Sequence, residues 1–168
     1  MENLYNDPTN FIDAKLFPKW GVEQPHLPVI EYCLDNLYVD GNILEFGIWT
    51  GISTNYIAKK ISPKFLHAFD SFKGLEEEWN GLDKDFFVVD KFKLSFQNNV
   101  KIYDGYFTDT IKDYLKSNNS KISFINIDCD LYASTNAILY SLDDYIVPGT
   151  ILYFDEIYNY PDYMNCEY

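Results

Sequence analysis

The sequence predicts an α/β fold, a doubly wound, Rossmann-like and mostly parallel sheet with strand order 3-2-1-4-5. Three observations carry that expectation. Five short apolar segments alternate with stretches whose apolar residues recur at helical spacing, the pattern of a sheet covered by crossover helices. The run Asn42-Ile43-Leu44-Glu45-Phe46-Gly47-Ile48-Trp49-Thr50-Gly51-Ile52-Ser53 reads as a strand, a tight turn and a helix start. Acidic residues stand at the ends of the first, second, fourth and fifth apolar segments, the edge where ligands bind in such sheets.

Taken in order, residues 1–26 mix Pro8, Pro18 and Pro25 with aromatics and lack sustained periodicity, so an irregular arm with at most one short helix is expected there. From Leu27 to Val39 the apolar positions share one helical face, and Pro28 suits a first turn. Strand 1 is expected at about 43–47, its helix at about 51–60 with a stop at Ser62-Pro63, and strand 2 at 65–70. The connection 71–99 carries Glu76-Glu77-Glu78 and an expected helical segment from Phe86 to Phe96. A third strand is expected at 100–103, a helix at 108–115 capped by Thr108, a fourth strand at 122–127, a helix at 131–145, and a fifth strand at 150–154 after the Pro148-Gly149 turn.

The glycine spacing is E-x-G-x-x-x-G. Gly47 frees the backbone to turn, while Gly51, Thr50 and Ser53 suit a helix start whose amides face a ligand. A dinucleotide site needs a glycine where the pyrophosphate meets the backbone, and here that position is Trp49. The turn therefore points to a nucleoside without a pyrophosphate, and Trp49 counts against a NAD-dependent dehydrogenase. Asp70, 23 residues after Gly47, is placed to bind both ribose hydroxyls, although a strand-end Asp also serves as a plain turn or helix cap.

Composition narrows the class. With 168 residues one domain spanning 1–168 is expected, and 47% apolar and 18% aromatic residues separate it from disordered chains. The net charge of −13 argues against a nucleic-acid partner, because phosphate binding needs basic patches. Cys33, Cys129 and Cys166 are odd in number and far apart, which suggests neither a disulfide framework nor a CxxC-type zinc site. With no signal-like N-terminus and no long apolar run, a cytoplasmic protein without a membrane partner is expected.

The runs EFGIWTGIST, FDSFKGL, DGYFTDT, INIDCDLYAST and PGTILYFDE resemble, in order and spacing, the macrocin O-methyltransferase-like family of class I S-adenosylmethionine-dependent methyltransferases. The similarity covers roughly residues 40 to 160. IDxDLYxST followed by the strand-5 acidic pair is its most specific part. The resemblance implies that Glu45, Gly47 and Gly51 shape the methionine pocket, that Asp70 takes the ribose, and that Ser71 and Phe72 border the adenine; Ser53 and Asp128 complete the expected cofactor set. It further implies magnesium held by Asp128, Asp155 and Glu156, with Asp130 as general base. The pair Asp155-Glu156 stands where Asp-Asp is common in the family.

The residue types fit that chemistry. Methyl transfer to a hydroxyl is helped by a hard cation held by carboxylates, which lowers the pKa of the bound oxygen, and by a carboxylate that accepts the proton. Of the two histidines, His26 and His67, the latter lies inside a strand, so a histidine base is the weaker candidate. Two alternatives stay open. Asp128 and Asp130 are also positioned to cap the helix near Leu131, and Tyr132, Tyr158, Tyr160 and Tyr163 serve either an acceptor pocket or an aromatic surface. Family members continue with a strand 6/7 hairpin for which no counterpart follows strand 5 here. That leaves an open strand edge, for which a homo-oligomer is one expected cover. The expected activity is O-methylation of a small molecule or sugar; the alternative is a non-catalytic S-adenosylmethionine-binding module or subunit.

Overall fold

The computed structural model describes residues 26–79 and 81–155. Five parallel strands form one sheet: β1 (Asn42–Phe46), β2 (Leu66–Asp70), β3 (Val100–Asp104), β4 (Ile122–Ile127) and β5 (Ile151–Phe154), in the order β3-β2-β1-β4-β5. The order agrees with the expectation. The sheet begins at its middle with β1, builds outward to β3, then crosses back to β4, so the order reverses between β1 and β4, the place where sheets of this kind bind ligands.

Four helices cover the two faces. On one, α1 (Leu27–Asp35) and α2 (Ile52–Ile61) place Ile30, Leu34, Ile57 and Ala58 against Ile43, Leu66, Ala68 and Phe124. On the other, α3 (Phe107–Leu115) and α4 (Tyr132–Leu142) place Ile111, Tyr114, Ile138 and Leu142 against Leu44, Phe46, Phe69, Ile125 and Ile127. Burying each Leu, Ile or Phe among them contributes about 1.5–3 kcal/mol relative to exposure. β4, whose sequence is ISFINI, is buried at all six positions, as a strand covered on both faces must be. β3 lies at an edge and carries the charged Lys101 and Asp104.

Most strand and α2 bounds shift by one residue, and four helical segments differ for identifiable reasons. α1 stops at Asp35 and not at Val39, because Asn36 leaves helical geometry and its side-chain amide donates to the carbonyl of Tyr32. The helix expected over Phe86–Phe96 is reduced to one 3-10 turn, Lys91–Lys93. There the side chains of Asp83 and Asp90 accept from the amides of Asp85 and Phe92, competing with helical bonds, and Phe86, Val88 and Phe92 stay exposed. α3 begins one residue early with Tyr106 at its N-cap, so Thr108 lies in the first turn and is not the cap. α4 ends at Leu142, and a 3-10 turn, Asp143–Tyr145, replaces its expected last turn. The expected N-terminal arm, apart from His26, and everything after Asp155 lie outside the described residues.

The 71–99 connection is still anchored beside the site. The side-chain amide of Asn55 donates to the carbonyl of Ser95, and its oxygen accepts from the amide of Gln97. Lys91 pairs with Asp104 at the end of β3. Phe96 packs so closely on Gly51 that a Cβ there would meet its ring at 2.8 Å.

Candidate active site

The glycine turn joins β1 to α2 through left-handed geometry at Gly47 (φ 93°), Trp49 (φ 44°) and Gly51 (φ 77°). Gly47 is required sterically as well as conformationally, since a Cβ there would lie 1.7 Å from the carbonyl oxygen of Asp128. Its amide donates to the carbonyl of Phe69, so one residue sits between the ends of β2 and β4. Gly51 is itself the N-cap of α2, without a side-chain hydrogen bond at the cap. The hydroxyls expected to cap are placed otherwise: Thr50 is exposed, and Ser53 is buried beneath the turn.

Asp70 ends β2 and faces this turn. Its Oδ2 accepts from the amides of Ile48 and Trp49 at 2.7 and 3.0 Å, and its Oδ1 accepts from the amide of Phe72 at 2.7 Å. A carboxylate offers about four acceptor positions, so these bonds leave one for a ribose hydroxyl unless a turn amide is displaced. Ser71 uses its Oγ to accept from the amide of Lys73 at 3.1 Å. Phe72 has positive φ (58°) and packs with Ile48, Ile57 and Ala58 in the core.

Glu45 is wholly buried in β1 opposite Asn126 of β4. Its Oε1 accepts from the Asn126 side-chain amide at 3.1 Å, while Glu45 Oε2, Asn126 Oδ1 and Thr54 Oγ1 are buried without a hydrogen-bond partner. Burial pushes the Glu45 carboxyl up to about 7, partly offset by the side chains of Thr54, Ser53 and Asn126. Glu45, Thr54 and Asn126 thus form a wholly buried polar cluster between β1, α2 and β4.

The strand-4 and strand-5 acids form the other half. Asp128 is half-buried, and its carboxyl is driven well above the usual range by burial, then by the charges of Asp155, Asp130, Glu45 and Asp70. Asp130, in left-handed geometry (φ 62°), is pushed up to about 7 by burial and by Asp155 and Asp70. Asp155 follows β5, its Oδ1 accepting from the Tyr153 hydroxyl at 2.9 Å. The N-cap of α4 is Leu131, and Tyr132 is exposed.

Asp128 is thus close enough to feel the charges of Asp155, Asp130, Glu45 and Asp70, Gly47 abuts its backbone, Ser53 lies beside Glu45, and Gly51 packs under Phe96. Glu156, Tyr158, Tyr160 and Tyr163 lie outside the described residues. Among the described residues no three His, Cys, Asp or Glu side chains are grouped so as to hold a metal ion. Asn126 is missing from the sequence reading, and His26 enters it only as a weaker candidate base. Asn126 is the second residue before Asp128 on the same buried strand, a polar residue in an otherwise apolar run, and that was its signal. His26, just before α1, lies near enough to Asp155 to feel its charge, while burial lowers its pKa; nothing local marked it. His67 is structural: its Nδ1 pairs with the Tyr103 hydroxyl at 3.0 Å, and burial lowers its pKa to about 4. No helix among the described residues is long and apolar enough to cross a membrane.

Comparison with known proteins bears on this site. No curated protein matches the chain. Among solved structures, the fold is similar to CalS11, a calicheamicin methyltransferase, at 22% identity and a TM-score of 0.65, covering 82% of this chain and 67% of that one. It is also similar to the O-methyltransferase NovP, at 20% identity and a TM-score of 0.62, covering 83% of this chain and 67% of that one. An apo structure of CalS11, described as a TDP-rhamnose 3'-O-methyltransferase, matches at 22% identity and a TM-score of 0.63, over 98% of this chain and 73% of that one. A family model described as a methyltransferase domain matches residues 44–157, a span running from β1 through the strand-5 acids. The chain belongs to that methyltransferase-domain family.

Proposed function

We propose that the protein is an S-adenosylmethionine-dependent O-methyltransferase, assisted by magnesium, that methylates a hydroxyl of a small molecule or sugar. The observation that carries this reading is the methyltransferase-domain match over residues 44–157, together with the glycine turn after β1 and Asp70 bonded to it at the end of β2. The solved structures of similar fold, whose descriptions name O-methyltransferases and, for one, a sugar substrate, agree with it.

The site suits the cofactor in two observed respects. Gly47 and Gly51 give the turn after β1 left-handed backbone, and Asp70 keeps one acceptor position at the end of β2. In this reading Glu45, Gly47, Gly51 and Ser53 border the methionine part, the remaining acceptor position of Asp70 takes a ribose hydroxyl, and Ser71 and Phe72 lie toward the base. Magnesium would be held by Asp128 and Asp155, hard oxygen donors of which the second adds to the burial that raises the carboxyl of the first, and by Glu156, which lies outside the described residues. When bound, S-adenosylmethionine supplies a methyl group already activated on sulfonium, and magnesium supplies the positive charge that favours a deprotonated hydroxyl. Asp130 accepts the hydroxyl proton, a general-base role worth about 10²–10⁴-fold. The rigid edge formed by β1, β2 and β4 orients acceptor and methyl donor, which removes much of the entropic barrier.

Incubation with S-adenosylmethionine labelled in its methyl group, a panel of hydroxylated small molecules that includes nucleotide sugars, and magnesium tests the reading. Labelled methyl on an acceptor oxygen is the expected product. Tight cofactor binding without transfer to any acceptor points instead to a binding module.

A further inference from the structure

We infer that Asp70 is a specificity-determining residue: its carboxylate occupies the anion-binding turn after β1 and thereby excludes phosphate-bearing nucleotides from the site. The inference deepens the nucleoside reading given above and rests on it.

Successive backbone amides in a turn with left-handed residues form a concave cradle for anions, and nucleotide-binding folds use such cradles for phosphate. The turn here has that geometry, with positive φ at Gly47, Trp49 and Gly51. Four of its amides are nonetheless taken. Ile48 and Trp49 donate to one oxygen of Asp70, at 2.7 and 3.0 Å, Gly47 donates to the Phe69 carbonyl, and Gly51 donates to the Ile48 carbonyl at 2.8 Å. Phe72 holds the other Asp70 oxygen at 2.7 Å, so three backbone amides from two segments fix the carboxylate in the cradle.

A phosphate arriving at this turn meets an anion already seated there. It must displace a charge-assisted pair of hydrogen bonds, and it meets the further negative charge of Asp128 and Asp130, both within electrostatic range of Asp70. Selectivity built by placing an unfavourable charge against the wrong ligand is a general device. A nucleoside whose sugar carries a cationic sulfonium chain meets no such penalty. Trp49 stands where a dinucleotide site needs a glycine, and the Asp70 carboxylate closes the same position electrostatically.

Two readouts test this. In amide NMR spectra titrated with inorganic phosphate, the Ile48 and Trp49 signals of the unmodified protein are expected to stay in place, and those of Asp70→Ala are expected to move. In competition binding, the unmodified protein is expected to prefer adenosine over adenosine monophosphate at least tenfold, and Asp70→Ala to reduce that ratio at least tenfold. Any loss of ribose affinity is common to both ligands and cancels in the ratio. Phosphate shifts at Ile48 and Trp49 in the unmodified protein, or an unchanged ratio in the variant, overturn the inference. If neither protein binds adenosine, the nucleoside reading fails while the phosphate titration still decides the role of Asp70. Asp70→Asn, which keeps the volume and removes the charge, supplies a folded variant with an effect of the same direction should Asp70→Ala not fold; no effect in it also overturns the inference.

Discussion

Asp70 and Asp128 stand on either side of β1, at the ends of β2 and just beyond β4, and they meet opposite surroundings. Asp70 is held by three backbone amides. Asp128 faces Asp155, Asp130, Glu45 and Asp70, and its carboxyl is pushed well up. One half of the site is satisfied by its own backbone, whereas the other half has accumulated like charge that only protonation or a cation relieves. The difference teaches which half is held by its own backbone and which gathers like charge; the proposed function gives the first to the ribose and the second to the reacting hydroxyl.

Substitutions can break or sharpen that contrast. The largest effect is expected at the junction of the two halves. Gly47→Ala places a Cβ 1.7 Å from the Asp128 carbonyl oxygen at a φ of 93°, so denaturant unfolding should show a loss of about 4 kcal/mol or more, or no folded protein. A variant as stable as the original would mean that the turn rearranges freely and that the halves are not tied through it.

Next comes Asp130→Asn. Asparagine tolerates the left-handed geometry of this position, so the fold should persist while methyl transfer falls about 10²–10⁴-fold and cofactor affinity changes little. Equal loss of cofactor binding and of turnover would move Asp130 from the base role to the cofactor pocket.

A smaller effect is expected in stability against pH. Glu45 has a folded-state value raised from 4.5 to about 7, so its contribution is fully present below about pH 4.5 and is lost as pH rises to about 7. Glu45→Gln should flatten that decline by about 1–3 kcal/mol between these limits, measured by denaturant unfolding across the range. His67 works in the opposite sense. Its value is lowered from 6.5 to about 4, so its contribution is present above about pH 6.5 and is lost as pH falls toward 4. His67→Asn should remove that acid-side loss and leave the decline due to Glu45, which separates the core from the site.

Much of this was legible in the sequence because the governing signals are local. Five apolar runs in alternation with helices set the sheet, and the glycines at 47 and 51 set the turn. The Phe86–Phe96 helix failed because its signal was only a density of apolar residues, while the side chains of Asp83 and Asp90 captured the backbone. Asp70 was expected to face a ribose, and its bonds to the turn amides depend on a backbone conformation that spacing does not encode. The pairing of Glu45 with Asn126 arises from the register between β1 and β4, 81 residues apart, and His26 reaches Asp155 only through the packing of its segment beside β5. Tertiary juxtapositions of this kind leave no mark on a single chain read in order.

The most direct measurement is calorimetric binding of S-adenosylhomocysteine and of magnesium to the unmodified protein and to Asp128→Ala. The account predicts that both proteins bind S-adenosylhomocysteine, that the unmodified protein also binds magnesium, and that Asp128→Ala binds magnesium at least tenfold more weakly. Failure of the unmodified protein to bind S-adenosylhomocysteine, or magnesium binding unchanged by Asp128→Ala, would contradict it.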